Sequence, residues 1–317
     1  MRLFSILLLS LLLAASSAAE PLRVVTSTPI LEDMVRQIGG NRVHVTSLVP
    51  RGLSIHSFRP APDDVRRVQD ADLIVINGLG LEGWMEKLIR NSSEQAPVIE
   101  AAARVTPLHS MGGHDHDEHD AHGHAEHDPN HEGHSETCLG HGPHDPHAWL
   151  DVSRVQLYVE EIRDALVHAD PAGAETYEAL GEFYLFQLRL LDRWIRKQLA
   201  VIPPEDRVIL VSHNSLSYFE EAYGMTTLPI LGFSGAEDSD PKRLAELTER
   251  IGSEKIRLAA YGAGENTRLL DQLVEGTDLK TVGPLNFDTL GPADSAEGTY
   301  IGMMTNSVMT LVQALKD

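Results

Sequence analysis

The amino-acid sequence predicts an α/β protein of two lobes, each a mainly parallel sheet flanked by helices, joined by one long rigid helix. Three observations carry this reading. Short apolar, β-branched runs alternate with amphipathic helical stretches in the first half, the pattern of a parallel sheet covered by helices. The same alternation starts again in the second half. Between the halves lies one uninterrupted helical pattern bracketed by prolines.

The first half opens with a strand-like run, "LRVVTST" (Leu22 to Thr28). In "PILEDMVRQIGG", Pro29 suits a helix start and Gly39-Gly40 its end. "RVHVTSLVP" alternates as a strand should. "PAPDDVRRVQDA" reads as a short helix, "DLIVINGLG" as a buried strand, "LEGWMEKLIRN" as a helix and "APVIEA" as a short strand. In the second half "RVILVSH" is a strand and "NSLSYFEEAYG" a helix closed by Gly224. "MTTLPILG", "IRLAAYGAG" and "LKTVGPLNF" are strands. "DPKRLAELTERIGS", "NTRLLDQLVEGT" and the closing "GTYIGMMTNSVMTLVQALKD" are helices.

Between them, a helix "VSRVQLYVEEIRDALVHA" is followed by the long one. Leu180, Tyr184, Leu188, Leu191, Ile195 and Leu199 recur at helical spacing between Pro171 and Pro203. A helix from Pro171 to Ala200 would run roughly 45 Å, as long as a domain is wide. It therefore reads as a stiff connector, with a packed helix inside one lobe as the alternative. The expected organisation is an export signal over residues 1–19, a first lobe over 20–170, a linking helix over 171–201 and a second lobe over 202–317.

The leader is expected from Arg2, the apolar run Leu3 to Ala15, and the small residues Ser17-Ala18-Ala19 at a cleavage site. The apolar run is short for a membrane span. The single cysteine, Cys138, lies far from this leader, which argues against lipid attachment there and against an internal disulfide. The expected location is the periplasm. A formal net charge of -21 argues against nucleic acid and anionic membrane surfaces and leaves cations as plausible ligands. The chain is expected to act as a monomer.

Twelve of the sixteen histidines fall between His109 and His147, and between Arg104 and Arg154 no other basic residue occurs. Acids are interleaved, and large apolar side chains are nearly absent, so the stretch from about residue 110 to 144 is expected to be a disordered loop. Neutral imidazole is a good ligand for zinc, copper and nickel. His114, His116, His119, His122, His124, His127, His131, His134, His141 and His144 are therefore candidate auxiliary metal ligands.

A tight site needs three or four ligands on rigid elements, and open parallel sheets bind ligands beyond the carboxyl ends of their strands. Four residues sit at such places. His213 ends "RVILVSH", His56 lies in the loop after "RVHVTSLV", Asp288 follows "LKTVGPLN", and His147 lies in "HDPHAWLD" where the tract gives way to a helix. Trp149 and Tyr218 are expected to pack the cleft wall.

The motifs "VVTSTPILEDMVRQIGGNRVHVTSLVPRG", "ADLIVINGLGLEGWMEKLI", "DPHAWLDVSRV", "VSHNSLSYFEEAYGM" and "NFDTLGPADSAEGTYIGMMTNSV" occur in order. With them the chain resembles, from Leu22 to its C-terminus, the metal-binding solute-binding proteins of bacterial ABC importers for zinc or manganese. A histidine-rich insertion before "DPH" is similar to the zinc branch. The resemblance implies two α/β lobes joined by one long helix, and one Zn2+ ion held as cargo by His56, His147, His213 and Asp288. Imidazole at His213, where manganese relatives tend to carry a carboxylate, suits zinc. The first loop, "GLSIHSFRP", departs from the family's Asp-Pro before the histidine, which implies a less rigid loop and His56 as the weakest ligand. Glu265 follows "LAAYGAG" where relatives often keep an acid; it either backs the site, replaces Asp288, or caps the next helix.

The implied function is capture of zinc and delivery to an ABC permease, with a periplasmic metallochaperone as a further candidate partner. A buffer or chaperone tied to no permease and a manganese-type protein are alternatives. A zinc hydrolase is disfavoured by the lack of HExxH and of a nucleophile elbow, so no enzymatic activity is expected.

Overall fold

The computed structural model of the chain describes residues 20–90, 96–109, 144–231, 241–275 and 277–316. The expected leader, Cys138 and the tract histidines from His114 to His141 lie outside these residues. In chain order the described elements are β1 (Leu22–Thr26), α1 (Pro29–Gly39), β2 (Val43–Ser47), α2 (Pro62–Gln69), β3 (Leu73–Ile76), α3 (Met85–Arg90) and β4 (Val98–Glu100). Next come α4 (Val152–Ala169) and α5 (Ala174–Leu199), then β5 (Val208–His213), α6 (Ser217–Tyr223), β6 (Thr226–Leu231) and α7 (Pro241–Ser253). The chain ends with β7 (Leu258–Gly262), α8 (Arg268–Val274), β8 (Lys280–Leu285) and α9 (Tyr300–Lys316). No helix among the described residues is long and apolar enough to cross a membrane.

The strands form two four-stranded sheets, ordered β2-β1-β3-β4 and β6-β5-β7-β8, and every neighbouring pair is parallel. The two halves thus repeat one topology, as the renewed alternation implied. Side chains alternate between faces along each strand. Val24, Leu73 and Val75 of the first sheet join the same core as Ile209, Val211, Leu258 and Ala260 of the second. Their neighbours Val25 and Ile74, and Leu210 and Ala259, point into separate outer cores. Both faces of each sheet are covered, which explains why the strands read as nearly continuous apolar runs.

Helix α1 starts where Thr28 Oγ1 accepts a hydrogen bond from Leu31 N at 3.2 Å with Pro29 in its first turn. It ends where Gly40 takes a φ of 56°, which a residue with a Cβ adopts only with strain. Helix α5 follows a short 3-10 turn (Pro171–Gly173) and buries Tyr177, Gly181, Tyr184, Leu188, Leu191, Ile195 and Leu199 along one stripe. Its 26 residues span about 39 Å. That stripe packs on α1, α4 and α9. Helix α9 crosses back over α1 and α5, and Asp33 of α1 accepts a hydrogen bond from Tyr300 N at 2.8 Å at its start. The link between the halves is therefore a layer of helices sharing one core, with α5 at its centre.

Candidate metal centre

Each lobe presents the carboxyl ends of its parallel strands to the other, and the loops leaving those ends carry the site. Strand β5 ends on His213 itself. The chain leaving β2 runs to a 3-10 turn, Ile55–Ser57, which carries His56. Ser54 Oγ accepts from His56 N at 3.3 Å, and Ile55 is buried beneath the turn. Gly52, at a φ of 76°, donates its N–H to Thr289 Oγ1 at 2.9 Å and to Leu290 O at 3.2 Å. The loop that carries His56 is thus tied across the cleft, next to Asp288.

His147 stands just before a 3-10 turn, Ala148–Leu150. The peptide before it is clamped, because Asn77 Nδ2 donates to Pro146 O at 3.0 Å and Tyr158 OH donates to Asn77 Oδ1 at 2.7 Å. Asn77 is held in turn by buried Glu82, which accepts from Asn77 N at 2.7 Å and Ser27 Oγ at 2.6 Å. Burial pushes the Glu82 carboxyl up to about 7 despite these donors. Trp149 ties the two lobes together by donating Nε1 to Phe287 O, 2.8 Å away and one residue before Asp288. Tyr218 is fully buried; it accepts from Leu108 N at 3.0 Å and donates to Asp145 O at 2.8 Å. Both aromatic residues are buried in the shared core, and each fixes backbone.

His56, His147, His213 and Asp288 come together. Each offers one ligand atom, and these atoms all lie within 4.8 Å of one another. His147 Nε2 is 3.2 Å from His56 Nε2, His213 Nε2 is 3.1 Å from Asp288 Oδ2, and His56 Nε2 is 3.9 Å from the same oxygen. Donors at zinc's usual bond lengths in a tetrahedron stand about 3.3 Å apart. The side chains are almost closed off from solvent, and Asp288 Oδ1 has no hydrogen-bond partner among the described residues. Buried polar atoms without partners are costly, and a shared cation would satisfy them.

Behind the cluster stand two more carboxyl groups. Asp145 Oδ1 lies 2.8 Å from His147 Nδ1, which turns Nε2 toward the other ligand atoms. Glu265 Oε1 lies 2.6 Å from His213 Nδ1, on the side away from Asp288. Glu265 is itself fixed by Gly262 N at 2.6 Å and by the Ser212 hydroxyl. The geometry therefore gives Glu265 a backing position and puts Asp288 in the cluster. Burial disfavours a charge on His213, but Asp288 and Glu265 prevail and push its pKa up to about 10. Burial likewise opposes the Asp288 carboxylate, yet His213 and the other two imidazoles hold it well below the usual range.

Sequence reasoning missed Asp145 and the Asn77–Glu82 clamp. Asp145 had a signal: it lies two residues before His147 in "HDPH", close enough for its carboxylate to bond both the backbone and the ring. Of the tract, only His144 lies within the described residues, where it pairs with His109 in an isolated antiparallel bridge. It is held there by the neighbouring bond from Asp145 N to Leu108 O at 3.0 Å.

Two parallel-sheet lobes around a long helix, with three imidazoles and a carboxylate converging between them, define a metal-binding protein of the substrate-binding type. The chain belongs to the family described as ZnuA, zinc-uptake complex component A, periplasmic, whose sequence model it matches over residues 24–314. It is 34% identical over 302 residues to the manganese-binding lipoprotein MntA of Halalkalibacterium halodurans, covering 95% of this chain and 90% of the relative. It is 29% identical over 302 residues to the iron-binding protein YfeA of Yersinia pestis, covering 94% and 88%. The periplasmic zinc-binding protein TroA of Treponema pallidum has a similar structure, with a TM-score of 0.79 and 25% identity over 93% of this chain and 99% of that one. These relationships place the chain among the metal-binding substrate-binding proteins of ABC metal uptake.

Proposed function

We propose that the protein captures Zn2+ in the periplasm and delivers it as cargo to the membrane permease of an ABC transporter. His56, His147, His213 and Asp288 are the ligands in this reading, with Glu265 and Asp145 orienting two of the imidazoles. The observation that carries it is the donor set: three imidazole nitrogens and one carboxylate oxygen within 4.8 Å of one another. Such a set suits tetrahedral zinc, whereas manganese prefers more oxygen. Three carboxyl groups close to three imidazoles also favour a dication.

In the same proposal residues 1–19 are a cleaved leader, 20–170 and 202–317 are the lobes, and 171–201 links them. The chain works as a monomer. The histidine-rich loop is an auxiliary collector, and a periplasmic metallochaperone is a further candidate donor of the ion. A manganese cargo is the second reading, favoured by the manganese-binding relative and by the second oxygen of Asp288. Elemental analysis of protein purified without added metal, followed by competition between zinc and manganese, decides between them. Zinc retained against excess manganese is expected, and preferential manganese binding would overturn the zinc assignment.

A further inference from the structure

The two ends of the histidine-rich tract meet, and they meet through histidines. His109 and His144 face each other across an isolated antiparallel bridge, with ring centroids 5.8 Å apart and planes tilted by 45°. In the main cluster the three imidazole pairs stand 5.2, 5.5 and 5.8 Å apart. The neck pair thus matches the centroid spacing of the imidazoles in the main cluster. His144 Nδ1 is buried and has no hydrogen-bond partner among the described residues. His109 is exposed, so the pair is reachable from solvent. The backbone beneath it is fixed, since Asp145 N donates to Leu108 O and Tyr218 OH bridges Leu108 N and Asp145 O. Rings on a fixed backbone lose little entropy on ligation.

We propose that His109 and His144 form a second metal site, an open one with two imidazole ligands and water completing the shell. Its ligand class is a hydrated divalent ion of borderline softness, zinc, copper(II) or nickel. With two protein ligands it holds the ion more weakly than the four-residue cluster does. It stands on the ribbon whose next residue, Asp145, backs His147.

The test uses the full chain with the nine histidines from His114 to His141 replaced by asparagine. Equilibrium dialysis against Zn2+ should find one tight and one weaker ion per chain. His109→Asn and His144→Asn should each remove the weaker ion and leave the tight one. Copper(II) added to the zinc-loaded protein should show magnetic coupling to two imidazole nitrogens. A single ion in the asparagine-substituted protein, or a weaker ion untouched by His109→Asn, would overturn the proposal. In a His213→Ala background the weaker ion should persist. Survival of the tight ion there would count against the main ligand assignment, not against the neck site.

Discussion

Asp145 and His147 are joined twice: one carboxylate oxygen, Oδ1, takes the backbone N–H of His147 at 2.9 Å and its ring Nδ1 at 2.8 Å. This fixes both where the residue sits and which nitrogen faces the cluster. Groups behind a metal ligand typically contribute 10- to 100-fold in affinity. Asp145→Asn should therefore weaken zinc binding by about that factor while keeping one tight ion per chain. His147→Ala should weaken it further, by orders of magnitude. Chelator competition measures both, and equal affinity in Asp145→Asn and wild type would remove Asp145 from the site.

With His213 as a ligand, as proposed, the metal competes with a proton there. In the metal-free protein that imidazole lies between Asp288 and Glu265, with its pKa raised to about 10. Below that pH, binding the ion releases a proton, so apparent affinity should rise with pH well past the ordinary imidazole value of about 6.5. The same raised pKa stabilises the metal-free fold fully below the unfolded value, and this contribution is lost as pH rises through the folded one. Competition titrations from pH 6.5 to 8.5 should show affinity still climbing. A plateau above pH 7 would mean that His213 is already neutral there.

The four clustered residues were legible because each follows the carboxyl end of a strand or borders a helix start. The reading lay in the alternation of runs such as "RVILVSH", which the parallel sheets reproduce. The role of Glu265 was legible only as one of three alternatives. It depends on β7 lying beside β5, and strand order is set by packing that no local pattern encodes. The path of α9 was hidden for a similar reason. An amphipathic stripe shows that a face is buried but not that α1 and α5 bury it. The Glu82 clamp joins Ser27, Asn77 and Gly78, and no periodicity predicts such a contact.

The loops that carry His56 and His213 are held differently. His213 ends a central strand of its sheet, while His56 rides on a turn anchored through Gly52 and Ser54. A ligand on a turn relaxes more readily when its neighbours change. His56→Ala should therefore cost less affinity than His213→Ala, with both well below wild type. The reverse order in chelator competition would show that the turn is the more rigid support.

A continuous core and α5 limit how far the lobes can separate. Wide hinge motion needs residues able to absorb large backbone changes, and an unbroken 26-residue helix offers few. Trp149 Nε1 to Phe287 O and Gly52 N to Leu290 O further tie the two sides. Solution scattering should show almost no change in radius of gyration on zinc binding. A large contraction would mean that these ties form only with the ion bound.

The neck geometry also predicts what happens when the tract is removed. Because His109 and His144 are bridged, deleting Gly113 to Gly140 leaves six residues, Ser110 to Gly112 and His141 to Pro143, to close a loop whose ends are already together. Short loops of this length close readily. The four-residue cluster and Asp145 stay outside the deletion, so one tight zinc ion should remain. The weaker ions held by the deleted histidines should vanish with them, leaving only the weaker ion of the His109–His144 neck. The tract's acids should also speed capture at low salt, an effect that added salt screens. Zinc stoichiometry by dialysis and association rates at low and high salt check this. Loss of the tight ion on deletion would make the tract part of the site and end its reading as a collector.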